Sequence, residues 1–230
     1  LVERDIIGGA AHLLDCIPSK AMIATGSAMA RFNNSQGMGL SGVSVSLDFE
    51  ALCQRIASIE QRLQSSVTDL LDDQGVRILR GTGRLKGPHE VVVETEDVLT
   101  ELEADVVVLS TGSRPRIQDW APIDGHYVLT TRDAYPPPEL PEHLVVIGAG
   151  VTGVEFVHMF AAFGCEVTFI VSRQQVLPQK DPEVAAALED DFISRGVRLL
   201  KGARAIGIDK EEGAVTVVCD DGRQARGSHA

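Results

Sequence analysis

The feature that most restricts how this chain can fold is Gly148-Ala149-Gly150-Val151-Thr152-Gly153, which follows the apolar run Leu144 to Ile147 and opens a helical pattern. A bare G-x-G-x-x-G string is a weak signal because glycine is common. Placed between a strand and a helix it has a mechanism. Gly148 permits the tight turn, Gly150 lets the backbone approach a diphosphate, and Gly153 allows close helix-to-strand packing, while the helix N-terminus attracts negative phosphates. The expectation is a dinucleotide site in which Gly148, Gly150, Val151, Thr152 and Gly153 contact the ligand. The choice of nucleotide falls about 20 residues further on, at the end of the second strand. There Val167 to Val171 delivers Ser172-Arg173 rather than an acid. A hydroxyl and a forked, permanently charged guanidinium suit a 2'-phosphate, so NADPH is expected ahead of NADH.

The surrounding pattern reads as alternating strands and helices, hence a parallel sheet. Strands are expected at 144–147, 166–171 and 197–200, helices at about 153–163 and 181–195, and a closing hairpin around Asp220-Asp221-Gly222. Upstream, residues 10–31 read as a helix with Pro18 in its first turn. A Gly- and Ser-rich stretch from Asn33 to Ser46 precedes a second amphipathic helix, capped by Asp48 and closed by Gly75. Short strands follow from Val76, and Asp105 to Ser110 reads as a strand covered on both faces. The proline-rich residues 114–141 read as a linker between two domains.

A length of 230 residues at 44% hydrophobic composition is enough for one large or two small cores. A net charge of -12 with scattered basic residues excludes a nucleic-acid footprint. No apolar run reaches the roughly 18 residues a membrane span needs, so a cytoplasmic location is expected. Cys16, Cys53, Cys165 and Cys219 lack C-x-x-C spacing and are expected to be reduced. His12, His89, His126, His143, His158 and His229 lack ligand spacing, so no metal is expected. Both termini read as cut from a longer chain: Leu1-Val2-Glu3-Arg4 as the tail of a strand, and Gly227-Ser228-His229-Ala230 as the start of another.

The segment Gly8-Gly9-Ala10-Ala11-His12-Leu13-Leu14-Asp15-Cys16-Ile17-Pro18-Ser19-Lys20 resembles the redox-active segment of the flavoprotein disulfide reductases, the dihydrolipoamide dehydrogenase and glutathione reductase family. Ser110-Thr111-Gly112-Ser113-Arg114-Pro115 resembles that family's second FAD-contacting turn, and Gly148 to Glu155 its NAD(P)H turn. The resemblance implies an α/β fold of two Rossmann-like three-layer nucleotide-binding domains, both truncated. The FAD domain would occupy residues 1–113, without its N-terminal strand, turn and helix. A linker would follow at 114–141, and an inserted NAD(P) domain at 142–230, without its C-terminal end. It further implies that Glu3, Gly8, Gly9, Thr111, Gly112 and Ser113 contact FAD, with Glu3 on the ribose, and that Cys16, Lys20 and Glu155 lie at the reacting ring, Lys20 pairing with Glu155.

One departure redirects the reading. The family's first cysteine falls on Ala11, and disulfide exchange needs a second sulfur to resolve the mixed intermediate. Cys16, expected at a helix N-terminus where the dipole favours a thiolate, lacks that partner. The pattern is similar to a branch of the family that acts as NAD(P)H:quinone reductases. The implied activity is hydride transfer from NADPH or NADH to FAD and onward to a small-molecule acceptor such as a quinone, in a homodimeric full-length protein, with the fragment by itself inactive. A soluble pyridine nucleotide transhydrogenase, a dihydrolipoamide dehydrogenase-like enzyme and a non-catalytic nucleotide-binding or redox-sensing module remain alternatives.

Overall fold

The computed structural model describes residues 1–230 apart from 34, 36–38, 42–43 and 97, so part of the Gly- and Ser-rich stretch expected from Asn33 to Ser46 lies outside the described residues. In chain order the elements are β1 (Val2–Glu3), α1 (Ile17–Asn33), α2 (Phe49–Asp73), β2 (Leu79–Arg80), β3 (Thr82–Leu85), β4 (Glu90–Glu94), β5 (Leu99–Glu103), β6 (His143–Ile147), α3 (Val151–Ala162), β7 (Glu166–Val171), α4 (Pro182–Ser194), β8 (Arg198–Lys201), β9 (Ala205–Glu211), β10 (Ala214–Cys219) and β11 (Gln224–Gly227). A six-residue π-helical segment, Ala11–Cys16, leads directly into α1. The chain forms two compact units, Leu1–Ile17 with Gln54–Arg114, and Pro18–Cys53 with Pro115–Ala230.

In the first unit β1 pairs with β2 in parallel, and β3, β4 and β5 form an antiparallel sheet. Val93 is buried in that sheet, and Gly81 and Gly83 keep its backbone close to its neighbours. The expected double-covered strand from Asp105 to Ser110 is absent: the segment is irregular, and Val106, Val108 and Leu109 are exposed. A strand needs partners for its backbone groups, and among the described residues β1 and β2 form a two-stranded sheet with no third strand. Apolar sequence alone does not supply them.

The second unit holds the parallel sheet β6-β7-β8 and the antiparallel sheet β11-β10-β9. Five successive buried residues in β7, Val167 to Val171, fit a strand covered on both faces. The expected hairpin forms between β10 and β11, with Gly222 at positive φ in the turn. Val145, Ile170, Leu200, Val217 and Ala225 share one core that joins the two sheets. Past β11 the chain reaches β6: His229 bridges Leu144 in parallel, and its carbonyl accepts the Val145 N–H at 2.9 Å.

The helix ends follow their sequence signals. Asp48 Oδ1 accepts the Ala51 N–H at 2.9 Å, capping α2, and Gly75, with φ of 70°, lets the Val76 N–H fold back onto the Leu71 carbonyl. Asp181 accepts from Glu183 and Val184, with Pro182 at the first position of α4.

Candidate functional site

The turn between β6 and α3 is built by two glycines with different requirements. Gly148 has φ of 104°, a left-handed conformation that side chains resist. Gly153 sits so close beneath it that a Cβ would lie 1.9 Å from the Gly148 carbonyl oxygen, so no other residue fits. Gly150 has ordinary dihedrals, and a Cβ there would meet nothing within 4 Å. Its role is openness: no side chain caps α3, and the helix's first N–H groups have no intrahelical acceptor. Orphan donors at the positive end of a helix attract an anion. The turn lines one end of a cleft of about 510 Å3 whose other walls include Trp120, Ile123 and Leu129.

Ser172 and Arg173 stand at the same edge of the sheet, because β7 runs parallel to β6 with Ile170 opposite Ile147. Both are exposed, immediately beyond β7. The loop they begin is anchored back on the glycine turn, since Leu177, itself at φ of 47°, donates its N–H to the Ala149 carbonyl at 2.8 Å. Glu189, whose side chain is 8% exposed, holds the same loop by accepting the Val176 N–H at 2.8 Å and the Lys201 ammonium at 2.6 Å. Sequence reasoning missed Leu177 and Glu189. A leucine at positive φ leaves no trace in a sequence, and a glutamate on an otherwise amphipathic helix reads as solvated.

The fold brings Lys20 and Glu155 together, with Lys20 Nζ 2.5 Å from Glu155 Oε1. Their side chains are 60% and 26% exposed, so the pair lies at the surface rather than in the core. What positions it is the packing of α1 on α3. At Gly26, in the middle of α1, a Cβ would lie 3.1 Å from the Ala162 Cβ, and Ser27 Oγ lies 3.4 Å from His158 Nε2. Lys20 and Ser27 are seven residues apart on α1, which puts them on one face, while Glu155, His158 and Ala162 form the matching face of α3. Gly26 was another omission of the sequence reading. A mid-helix glycine costs about 1 kcal/mol relative to alanine, which is itself a hint of close packing.

In the first unit Glu3 ends β1, and its Oε1 accepts the Asp5 N–H at 2.7 Å. Gly8 and Gly9 follow with φ of 104° and 82°. A Cβ on Gly8 would press on Leu13 Cδ1 at 3.0 Å. Thr111, Gly112 and Ser113 are exposed in irregular backbone, with Gly112 at φ of 65°. Cys16 is exposed and forms no disulfide. It closes the π-helical segment rather than starting a helix. The helical run begins at Ala10, and the dipole's influence fades within the first turn, so the expected helix N-terminus at Cys16 is corrected. Pro18, which has no N–H to donate, follows this wider π turn.

A parallel sheet ending in a glycine turn and an uncapped helix, with a hydroxyl and a guanidinium at the adjacent strand end, defines a Rossmann-like nucleotide-binding α/β protein. The chain belongs to the pyridine nucleotide-disulphide oxidoreductase family, whose sequence model matches residues 1–229. Members of this family depend on FAD and use NAD(P)H. The chain is 36% identical to an NAD(P)H dehydrogenase (quinone) of Mycobacterium tuberculosis, over the whole of this chain and 48% of that protein. It is 32% identical to a dihydrolipoyl dehydrogenase of Zymomonas mobilis, over the whole of this chain and 50% of that one. The crystal structure of LpdA from Mycobacterium tuberculosis superimposes with a TM-score of 0.89 at 37% identity, covering this chain fully and 50% of its own. The chain thus spans about half the length of the curated relatives it matches. Among the described residues no helix is long and apolar enough to cross a membrane.

Proposed function

We propose that this chain is the nucleotide-binding part of an FAD-dependent oxidoreductase that takes hydride from NADPH or NADH and passes electrons to a quinone or a similar small acceptor. The observation that carries this reading is the pairing of Lys20 with Glu155 on a segment where Ala11 stands in place of a second sulfur for Cys16. Without a dithiol to relay electrons, a disulfide substrate has no route, and the reaction ends at the flavin edge. The likeness to a quinone-reducing relative supports the same acceptor class.

The residues at the start of α3 fit a nicotinamide nucleotide, and the family to which the chain belongs implies the FAD. An open cradle over Gly150 and the uncapped start of α3 hold the diphosphate of the nicotinamide nucleotide, and Arg173 with Ser172 holds the 2'-phosphate of NADPH. Glu3, Gly8, Gly9 and the turn Thr111-Gly112-Ser113 hold the FAD, the carboxylate on its ribose. Bound FAD supplies hydride acceptance and electron transfer. Lys20 keeps a cation at the edge of the site, Glu155 fixes that cation in place, and Cys16 offers a polarizable sulfur from the preceding turn. Residues 1–113 then form the FAD part, 114–141 a linker and 142–230 the NAD(P) part. A cytoplasmic location and a homodimeric full-length protein belong to the same proposal.

The test compares NADPH consumption by the FAD-loaded full-length protein with a soluble quinone, with lipoamide and with a thionicotinamide nucleotide as acceptors. Quinone turnover well above the other two is expected. Rapid lipoamide turnover, the activity for which the Zymomonas mobilis relative is named, would overturn the reading, and thionicotinamide reduction would point to transhydrogenation.

A further inference from the structure

The fold assembles a group of side chains that their spacing in sequence conceals. His126, Glu139 and His229 each present one ligating atom, and the three atoms lie within 4.8 Å of one another. The backbone around them is firmly held. Asp124 Oδ1 accepts the N–H groups of His126, Tyr127 and Val128 at 2.9 to 3.0 Å, and residues 127–129 pair with Ala230 through two hydrogen bonds of 2.8 and 2.9 Å. The rings of His126 and Tyr127 stack at 4.3 Å.

Ser228 links the His229 ring to the backbone of β6. Ser228 Oγ donates its one hydrogen to the His143 carbonyl at 3.1 Å and accepts the His143 N–H at 3.1 Å. In the tautomer with Ser228 accepting from His229 Nδ1 at 2.9 Å, Nε2 of the neutral ring presents a lone pair. That Nε2 is sealed from solvent, in a side chain 3% exposed, and has no hydrogen-bond partner among the described residues. The atom facing it is Glu139 Oε1 at 3.4 Å, which also bears only lone pairs. Two acceptors aimed at each other call for a cation between them, either a proton or a metal ion.

We propose that His126 and His229, with Glu139, bind a borderline divalent transition metal of the zinc type, with the fourth position left to water. The separation of Nε2 and Oε1 supports this: bonds of about 2.0 to 2.1 Å at the tetrahedral angle put two ligand atoms about 3.4 Å apart. The donor set of two imidazoles and a carboxylate suits zinc, and the Nδ1–H of His229 already has the outer acceptor that orients a ligating histidine. Such an ion would tie the 124–139 segment to residues 227–230, which border β6. This inference does not depend on the proposed redox activity.

Zinc titration of the chelator-treated chain, followed calorimetrically, tests it. One ion per chain is expected, with binding weakened at least about tenfold by His126→Ala and by Glu139→Gln. Both changes fall on exposed side chains, so circular dichroism should match the unsubstituted chain and keep the comparison valid. Cobalt in place of zinc should give ligand-field bands without thiolate charge transfer, which separates this site from the four cysteines. Unsaturable binding, equal affinity in both variants, or a thiolate band would each overturn the assignment.

Discussion

At the scale of single residues, the glycine turn divides sharply into positions that must be glycine and one that only needs to be open. Gly153→Ala places a methyl carbon 1.9 Å from the Gly148 oxygen, a clash that only backbone movement relieves. The expected outcome is a loss of at least about 2 kcal/mol in denaturant unfolding together with loss of nucleotide binding. Gly150→Ala meets no clash, so it should leave stability nearly unchanged while weakening nucleotide binding, and a fluorescence titration checks the contrast. Lys20→Met removes an ion pair that is largely exposed, so stability should change by no more than about 1 kcal/mol. Its effect should appear instead in hydride transfer by the flavin-loaded protein. Cysteine chemistry offers a separate check. Burial pushes the Cys165 thiol up to about 12 and raises Cys53 and Cys219, whereas Cys16 is exposed. Iodoacetamide should therefore label Cys16 first, Cys53 more slowly, and Cys165 and Cys219 last in the native chain, as read by peptide mass mapping. Fast labelling of Cys165 would contradict the packing described.

At the scale of elements, the Lys20–Glu155 pair depends on how closely α1 lies on α3. Gly26→Leu would drive a branched side chain into Ala162 and Met159, so it should separate the helices and reduce hydride transfer as strongly as Lys20→Met, with a larger loss of stability. Both strand–helix alternation and the capping residues Asp48 and Asp181 were legible in the sequence, because each is a local requirement written into adjacent residues. Asp105 to Ser110 was misread for the opposite reason. A run of apolar residues records that a strand would be stable between neighbours, and says nothing of whether those neighbours are present. The helix expected over residues 10–31 does start at Ala10, but through a π segment that ends at Cys16, so Cys16 lies past the first turn where the dipole acts.

At the scale of the whole molecule, the acid response follows from three histidines. His143, His158 and His229 are all held below the usual imidazole value, first by burial; the Arg195 charge adds to this at His158. Each folded-state value therefore lies below the unfolded one, and the unfolded chain takes up protons first as acid is added. The stability these neutral rings permit is complete above about pH 6.5 and is lost as pH falls from there toward their folded values. Thermal midpoints should decline across that range. Replacing His143 with Gln, which keeps a partner for Thr168, should flatten the decline. The candidate site was legible where it rests on consecutive residues, as in Gly148 to Gly153, and where a family pattern placed Lys20 beside Glu155. It was not legible where distant loops converge, as Leu177 does on Ala149, or His126 and Glu139 on His229.

The central claim, that the start of α3 seats the diphosphate of a nicotinamide nucleotide with Arg173 beside its 2'-phosphate, is tested most directly by measuring NADPH and NADH affinity on the same protein before and after Arg173→Ala. Tighter binding of NADPH by at least about tenfold is predicted, together with loss of that preference in the variant and little change for NADH. Equal affinity for the two nucleotides, or a preference that survives removal of the guanidinium, would contradict it.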